Sequence, residues 1–171
     1  MINERYSIIY SSRTGNTKKL AEAIYNVLPQ NSCDYYGEVD KIEDELSEVL
    51  YIGFWTEKGD ADLQTIELLK QLKNKKIFLF GTAGYGGSEK YFKNIVDNVK
   101  KNIDSSNTII GTFMCQGKMP LSVLERYKRM KEQKSFMFNI DNLIANFDKA
   151  LSHPNEKDIK KLEKTILNNN R

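Results

Sequence analysis

The chain has 171 residues, of which 40% are hydrophobic and 29% are charged, and its net charge is +3. This length and composition favour one soluble globular domain, spanning residues 1–171, with a full-sized core. No apolar run is long enough to span a bilayer, and residues 1–5 lack the apolar stretch of a secretory signal, so we expect a cytoplasmic protein. His153 is the only histidine, and Cys33 and Cys115 match no metal or redox spacing, so we expect neither a metal site nor histidine-based catalysis.

Strand-like and helical segments alternate along the first half of the chain. Residues 6–10 predict a first strand, and residues 16–28 predict an amphipathic helix that Pro29 ends. Residues 33–37 predict a short second strand. The continuous apolar run 49–54 predicts a third strand that is covered on both faces of the sheet.

The alternation continues in the second half of the chain. Asp62 is placed to cap the next helix, residues 76–81 predict a fourth strand, Ser88 is placed to cap another helix, and residues 108–115 predict a fifth strand. The helix after Asp62 is expected to bury a stripe made of Leu63, Ile66, Leu69 and Leu72. Further helices are expected at residues 120–132, 139–151 and 155–168.

Five strands separated by helices predict a parallel sheet with helices on both faces, a three-layer α/β/α fold. We expect the strand order 2-1-3-4-5. In such sheets ligands bind outside the carboxyl ends of the strands, where the strand order reverses. The loops after strands 1, 3 and 4 are therefore expected to carry the chemistry.

The segment 11–17 between the first strand and the first helix is the most informative feature of the chain. Hydroxyl groups, a glycine, exposed backbone N–H groups and the positive end of the helix dipole converge there on one place, which predicts a phosphate site. The alternative is that Ser12 or Thr14 only caps the helix. The predicted phosphate ligands are Ser12, Arg13, Thr14, Gly15, Asn16 and Thr17.

The sequence Ser-Arg-Thr-Gly-Asn-Thr at residues 12–17 resembles the S/T-x-T-G-N-T loop in which flavodoxins hold the phosphate of flavin mononucleotide (FMN). The resemblance covers residues 6–151 and implies a flavodoxin-like fold, an FMN cofactor and a role in electron transfer. The net charge of +3 departs from the strongly acidic character of that family. The extra C-terminal helix at 155–168 lies beyond the usual flavodoxin core, where it is expected to cover a sheet face, dock a partner or form a dimer contact.

Two loops are expected to hold the flavin ring. After strand 3, the resemblance places an aromatic side chain against the ring and a glycine near the flavin N5, although Trp55 can also pack under its own loop. After strand 4, four glycines give backbone N–H groups access to the acceptor-rich edge of a flavin, although a glycine-rich turn is the alternative. The expected ring contacts are Phe54, Trp55, Thr56, Gly59, Thr82, Ala83, Gly84, Tyr85, Gly86 and Gly87, with Gln116 after strand 5.

Charge around the expected site is balanced, but one later segment is basic. Residues 118–134 carry a net charge of +4, which suits either a docking face for an acidic partner or a solvated helix face. The rim of the site is expected to contain Arg13, Lys58, Lys90 and Lys118 against Glu57, Asp60, Asp62 and Glu89. We therefore expect a less negative lowest reduction potential than in acidic flavodoxins.

Three segments together resemble a narrower subgroup, the flavodoxin-like proteins of anaerobic gut bacteria that accompany bilirubin reductase. They are Gly-Phe-Trp-Thr at residues 53–56, Phe-Gly-Thr-Ala-Gly at residues 80–84 and Met-Cys-Gln-Gly-Lys-Met-Pro at residues 114–120. That resemblance implies a monomeric or weakly dimeric electron carrier that takes electrons from a donor and delivers them to an acceptor reductase. Such a carrier requires no catalytic side chain. We expect neither a membrane nor a nucleic acid among its partners. The alternatives are an FMN-dependent NAD(P)H quinone or azo reductase, or a non-redox binding module on the same fold.

Overall fold

A computed structural model of the chain describes residues 4–133 and 139–171. Lys134 of the basic segment and residues 1–3 lie outside this part. The strands are β1 (Tyr6–Tyr10), β2 (Cys33–Glu38), β3 (Val49–Glu57), β4 (Asp60–Ala61), β5 (Lys76–Ala83) and β6 (Thr108–Gln116). The helices are α1 (Asn16–Val27), α2 (Leu63–Gln71), α3 (Glu89–Lys100), α4 (Leu121–Glu132), α5 (Ile140–Ala150) and α6 (Glu156–Asn169).

Five of these strands form a parallel sheet in the order β2-β1-β3-β5-β6. The predicted order 2-1-3-4-5 is confirmed, because the two-residue strand β4 pairs only with β3 and lies off this path. The helix and strand boundaries agree with the predicted segments within three residues. None of the helices in residues 4–133 and 139–171 combines the length and hydrophobicity needed to span a lipid bilayer.

The end of β3 differs most from the prediction, because the strand continues past residue 54 to Glu57. There it turns back on itself and pairs antiparallel with β4. The two turn residues, Lys58 and Gly59, have φ values of 52° and 80°. Positive φ at both central residues is what a tight two-residue hairpin requires. The sequence predicted only a loop here, since the polar residues 56–60 carry no apolar alternation.

Helices cover both faces of the sheet. On one face, Leu20 and Ile24 of α1 and Leu162 and Ile166 of α6 are fully buried in one apolar cluster with strand residues. On the other face, α2 and α3 bury their apolar sides against β3 and β5. Of the three roles expected for the C-terminal helix, the structure shows that α6 covers a sheet face.

Two departures concern helices. Leu63 is 65% exposed rather than part of the buried stripe of α2. The inward position of that first turn is taken by Thr65, whose hydroxyl donates a 2.9 Å hydrogen bond to the capping carboxylate of Asp62. Helices α4 and α5 pack mainly on each other, with Tyr127 and Phe147 in a small cluster separate from the two sheet cores.

The contact between β3 and β5 leaves no spare space beside the site. Gly53 pairs in register with Phe80, and a Cβ atom added to Gly53 would overlap the Phe80 ring and lie 2.8 Å from Cγ2 of Thr17. By contrast, a Cβ atom added to Gly87 would meet nothing within 4 Å.

We therefore expect Gly53→Ala to lower the free energy of unfolding by about 1–3 kcal/mol, the usual cost of overpacking a core. The matched control Gly87→Ala should leave it unchanged or raise it by up to about 1 kcal/mol, since alanine restricts the unfolded chain. Urea unfolding of both variants measures the difference. Equal unfolding midpoints would show that β3 and β5 can shift apart at this point.

Candidate functional site

The loops at the carboxyl ends of β1, β3, β5 and β6 enclose a cavity of about 260 Å³, closed on one side by the start of α4. This is the edge at which the fold rule places a ligand. Of the predicted site residues, those lining the cavity are Arg13, Thr14, Asn16, Trp55, Thr56, Gly59, Thr82, Gly84 and Tyr85. Those outside the lining are Ser12, Gly15, Thr17, Phe54, Ala83, Gly86, Gly87 and Gln116.

The loop before α1 presents a run of unpaired donors. Within the described part of the chain, no backbone N–H of residues 12–17 has a hydrogen-bond acceptor. Gly15 has a φ of 87° and is followed by the helix, and a Cβ atom added there would meet nothing within 4 Å. Ser12 Oγ accepts the Lys18 N–H at 3.3 Å, so this hydroxyl does cap the first turn of α1. Capping by Ser12 leaves the six preceding N–H groups free for an anion, beside the positive end of the helix dipole.

The hydroxyl of Thr17 is bonded within the protein and does not face the cavity. It is fully buried, donates a 3.1 Å hydrogen bond to the Phe54 carbonyl and lies 3.3 Å from Oγ1 of Thr82. The Phe54 ring is also fully buried, in the core on the α2–α3 face. These side chains fix the start of α1 against β3 and β5, so only the backbone of Thr17 remains available to a ligand.

The loop after β6 lies directly against the loop before α1, which the sequence did not indicate. The Lys118 carbonyl accepts hydrogen bonds from Asn16 Nδ2 at 2.8 Å and from Thr14 Oγ1 at 3.3 Å. A Cβ atom added to Gly117 would lie 2.5 Å from Asn16 Nδ2, so glycine permits this approach. Two side-chain donors predicted for phosphate are therefore occupied by the protein's own carbonyl oxygen.

The hairpin β3–β4 forms one wall of the cavity and carries Trp55 and Thr56. The backbone of Trp55 is held by Asp62, which accepts its N–H at 3.3 Å and donates its own N–H to the Trp55 carbonyl at 3.0 Å. The guanidinium carbon of Arg13 lies 5.5 Å from the centre of the Trp55 ring, a cation–π distance. The indole is thus positioned by its own strand and contacted by the loop before α1.

Thr56 supplies an unsatisfied polar atom in the cavity wall. Its Oγ1 is buried and has no hydrogen-bond partner among the residues that the structure describes. An unpaired buried hydroxyl costs about 1–3 kcal/mol relative to a bonded one. The oxygen is shielded from solvent, so a polar ligand atom would remove that cost only where it reaches this hydroxyl.

The glycine-rich loop after β5 is held by a residue that sequence reasoning missed. Asn146 of α5 donates to the Gly84 carbonyl at 2.9 Å, and its Oδ1 accepts the Gly86 N–H at 3.3 Å. Gln116, predicted as a ligand contact, is buried and donates to the same carbonyl at 3.1 Å and to Asn146 Oδ1 at 3.0 Å. Tyr85 projects from this loop with 52% of its surface exposed. Other helices of this chain also carry asparagines, such as Asn94 and Asn98 of α3, so no local pattern marked Asn146.

The charge of the cavity differs from the expected balance. Its lining contains the cations Arg13, Lys58, Lys118 and Arg126 and, within the described residues, no carboxylate. Asp62 is turned inward to cap α2 and is 2% exposed. Four other residues expected at the rim do not line the cavity: Glu57, Asp60, Glu89 and Lys90. Arg126 was missed because it comes from α4, whose approach to this edge no local pattern indicated.

Cys115, near the carboxyl end of β6, is a packing residue. Its side chain is 4% exposed, and burial raises the pKa of the thiol far above its usual value, with the charge of Asp158 acting in the same direction. The thiol therefore stays protonated at neutral pH, and a protonated thiol is a poor nucleophile.

A larger groove of about 560 Å³ lies between residues 39–46 and α2. It is lined by apolar side chains together with Asp40, Asp44, Glu45 and Glu67. The unpaired N–H groups and the unsatisfied hydroxyl both lie at the smaller cavity, so the smaller cavity is the better candidate despite its size. Chemically it suits a ligand with a phosphate group, a flat ring and a hydrogen-bonding edge.

Known proteins show the same combination of sequence and fold. A family model described as a flavodoxin domain matches residues 7–167, which includes most of α6 and so extends past the residue 151 expected from the sequence. The flavodoxin-like domain-containing protein BilS of Clostridium symbiosum (strain WAL-14163) is 39% identical over 171 residues, covering 91% of this chain and 90% of that protein. The protein of the same name from Clostridioides difficile (strain CD3) is 33% identical over 159 residues, covering 89% and 88%.

Solved structures agree on the fold. A flavoprotein from Lactobacillus acidophilus NCFM, whose crystal structure is a complex with FMN, superposes with a TM-score of 0.51 at 19% identity, covering 73% of this chain and 99% of that one. The family model and the two relatives confirm the resemblance to flavodoxins that the loop at residues 12–17 carried.

The Asn146 contacts lead to a prediction about the glycine-rich loop. Asn146→Ala removes two hydrogen bonds to this loop, which together contribute about 1–2 kcal/mol to keeping it closed. We expect chymotrypsin to cleave after Tyr85 about five to ten times faster in this variant than in the parent protein. Mass spectrometry of the digest over time measures the rate.

The matched control is Asn142→Ala, which removes an exposed asparagine side chain from the same helix. It should leave the cleavage rate unchanged. Equal rates in the two variants, at equal urea midpoints, would show that Asn146 does not hold the loop.

Proposed function

The chain belongs to the flavodoxin family, and we propose that it binds FMN in the cavity at the carboxyl edge of the sheet and carries electrons between partner proteins in the cytoplasm. The observation that carries the proposal is the row of free N–H groups at residues 12–17, on the same edge as the Trp55 wall. A phosphate suits these donors, and an aromatic wall suits the flat ring attached to it.

The residues of the site fit both the phosphate and the ring of this cofactor. The backbone N–H groups of residues 12–17 would hold the phosphate, while Trp55, Thr56 and Gly59 would flank the ring on one side. Thr82, Gly84 and Tyr85 would flank it on the other. Phe54, Ala83, Gly86, Gly87 and Gln116 would act by shaping the loops that carry these contacts. When bound, FMN supplies transfer of one or two electrons, and the protein supplies position and charge.

A carrier suits the cavity better than an enzyme that moves protons. In the described residues, the cavity lining contains neither a carboxylate nor a histidine. His153 lies outside it and is bonded through Nδ1 to Asp158 at 2.6 Å. Electron transfer through a flavin needs no acid or base from the protein, whereas a reductase acting on NAD(P)H needs space for nicotinamide above the ring.

For the acceptor we propose a bilirubin reductase, the partner that the sequence resemblance implies. The name BilS, carried by the two relatives, suggests the same partner. The discriminating measurements are simple. Purified protein with a yellow flavin spectrum supports the proposal, reduction of that flavin by NAD(P)H without a partner would favour the reductase, and colourless protein that takes up no FMN would favour a non-redox module.

Thr56 provides a sharp test of the cofactor site. We expect Thr56→Val to weaken FMN binding about fivefold to tenfold, about 1 kcal/mol, because the ligand loses a hydrogen bond. The free energy of unfolding of the FMN-free protein should stay the same or rise, because the hydroxyl that is lost has no partner in the protein. Fluorescence titration with FMN and urea unfolding measure the two quantities.

Thr17→Val is the matched control, since its hydroxyl is bonded within the protein to the Phe54 carbonyl. This variant should lower the stability of the FMN-free protein by about 1 kcal/mol. Unchanged FMN affinity in Thr56→Val would place the flavin away from the β3–β4 hairpin.

The cations of the lining predict the reduction potential of bound FMN. Full reduction leaves a negative charge on the flavin, which nearby cations stabilise, so we expect a less negative lowest potential than in flavodoxins ringed by carboxylates. The double variant Lys58→Gln/Arg126→Gln should make this potential more negative by tens of millivolts, where about 59 mV is tenfold in a one-electron equilibrium.

A redox titration of the flavin absorbance measures the shift. The control Lys100→Gln/Lys164→Gln removes the same charge from exposed positions on α3 and α6, outside the cavity lining, and should change the potential much less. Equal shifts in the two double variants would contradict a local effect of the cavity cations.

A further inference from the structure

Four exposed cations converge on the mouth of the cavity from four separate parts of the chain. Arg13 comes from the loop before α1, Lys58 from the β3–β4 turn, Lys118 from the loop after β6 and Arg126 from α4. We call them the mouth cations. Among residues 4–133 and 139–171, none of the four has a carboxylate within 4.0 Å. Their charge is therefore not neutralised by the protein itself.

Elsewhere in the described part of the chain, seven lysines and arginines are paired with carboxylates. Lys93 binds Asp97 at 2.6 Å and Lys131 binds Asp141 at 2.8 Å. Two of the mouth cations are instead placed by aromatic rings, since Arg13 lies 5.5 Å from the Trp55 ring centre and Arg126 lies 5.9 Å from that of Tyr127. A ring holds a guanidinium in position without cancelling its charge.

The positive mouth is a local feature of a chain with a net charge of only +3. The groove between residues 39–46 and α2 is lined by Asp40, Asp44, Glu45 and Glu67 against Lys75. A surface with separate positive and negative regions orients an approaching charged partner, which a uniformly basic surface does not do.

Large apolar side chains lie exposed beside the mouth cations. Tyr85 in the lining is 52% exposed, and Leu121, directly after the lining residue Pro120, is 63% exposed. Leu151, 51% exposed, borders a small neighbouring cavity that shares Thr14 and Lys118. Apolar anchors within a charged rim are typical of protein interfaces, whereas nucleic-acid interfaces are more polar.

We propose that the cavity mouth is a docking surface for the acidic face of a redox partner protein, with the mouth cations meeting carboxylates and Tyr85 and Leu121 meeting apolar side chains. The inference deepens the proposed function, since it names the chemistry of the partner that would exchange electrons at this site. It also assigns a role to Lys118 and Arg126 of the basic segment 118–134, which the sequence left open between a docking face and a solvated helix face.

A pair of small haem proteins provides the test. Cytochrome b5 has an acidic haem edge and cytochrome c a basic one. FMN-loaded protein is titrated at low ionic strength with each cytochrome, all components oxidised so that no electron moves, and the dissociation constant is measured by calorimetry. We expect cytochrome b5 to bind more tightly than cytochrome c and its affinity to fall as salt is added.

The rim variant Lys58→Glu/Arg126→Glu should weaken cytochrome b5 binding about tenfold or more and strengthen cytochrome c binding. The matched control Lys100→Glu/Lys164→Glu makes the same change in net charge away from the mouth and should alter either affinity less than twofold. Urea unfolding of both variants verifies that they are folded.

Three results would overturn the docking proposal: tighter binding of cytochrome c by the parent protein, equal losses in the rim and control variants, or tight binding of a 20-base-pair DNA duplex that the rim variant abolishes while cytochrome b5 affinity is unchanged. Failure of the proposed function is seen separately. Protein that takes up no FMN contradicts the carrier, but the same titration on FMN-free protein still decides the docking surface.

Discussion

The parallel alignment of β1, β3 and β5 is the constraint on which the site depends, because it brings loops far apart in sequence to one edge. Two hydrogen bonds fix the loop before α1 at that edge, from the Ser11 N–H to the Gly53 carbonyl at 2.9 Å and from the Thr17 hydroxyl to the Phe54 carbonyl at 3.1 Å. The Phe80 ring occupies the space that a side chain at Gly53 would need, so β3 and β5 pack closely at this point. The free N–H groups at residues 12–17 are therefore held at a fixed place relative to the β3–β4 hairpin, which is the pre-organisation that anion binding needs.

The last third of the chain completes the site rather than merely covering the sheet. The Lys118 carbonyl occupies the side-chain donors of Thr14 and Asn16, and Asn146 fixes the glycine-rich loop. With those two donors engaged, an anion at the start of α1 depends on backbone N–H groups and the helix dipole, with little help from side-chain donors. Backbone donors keep their positions without losing rotamer entropy, so the site does not need to order flexible side chains when a ligand binds.

The sequence predicted what depends on local pattern and failed where distant segments meet. The strand positions and the glycine- and hydroxyl-rich loop at residues 12–17 were predictable because apolar runs, glycines and hydroxyl groups act over a few residues. The strand order was expected from the flavodoxin-like fold and not from any local pattern. The hairpin at Lys58 and Gly59 was missed, since a polar turn followed by a two-residue strand has no periodicity. The Asn146 contact depends on how α4 and α5 fold back, which side-chain type alone does not encode. Charge balance at the mouth was wrong because the Asp62 carboxylate caps α2 and is turned away from the cavity.

The positive charge of the mouth cations connects the two proposals, because it would act on both the cofactor and the partner. Arg13 and Arg126 lie over aromatic rings, and no carboxylate in the described residues pairs with either, so their charge is not neutralised by the protein. In the two proposals, that charge would stabilise a negatively charged reduced cofactor and would also attract an acidic partner surface. In the proposed complex, the partner's carboxylates neutralise part of the field that the cofactor experiences. The reduced cofactor is then less stabilised and becomes a stronger reductant once the partner is bound. Because coupling between two sites is reciprocal, reduction of the cofactor correspondingly weakens docking by the same free energy. The consequence would be thermodynamic, a larger driving force for electron release in the complex than in the free carrier.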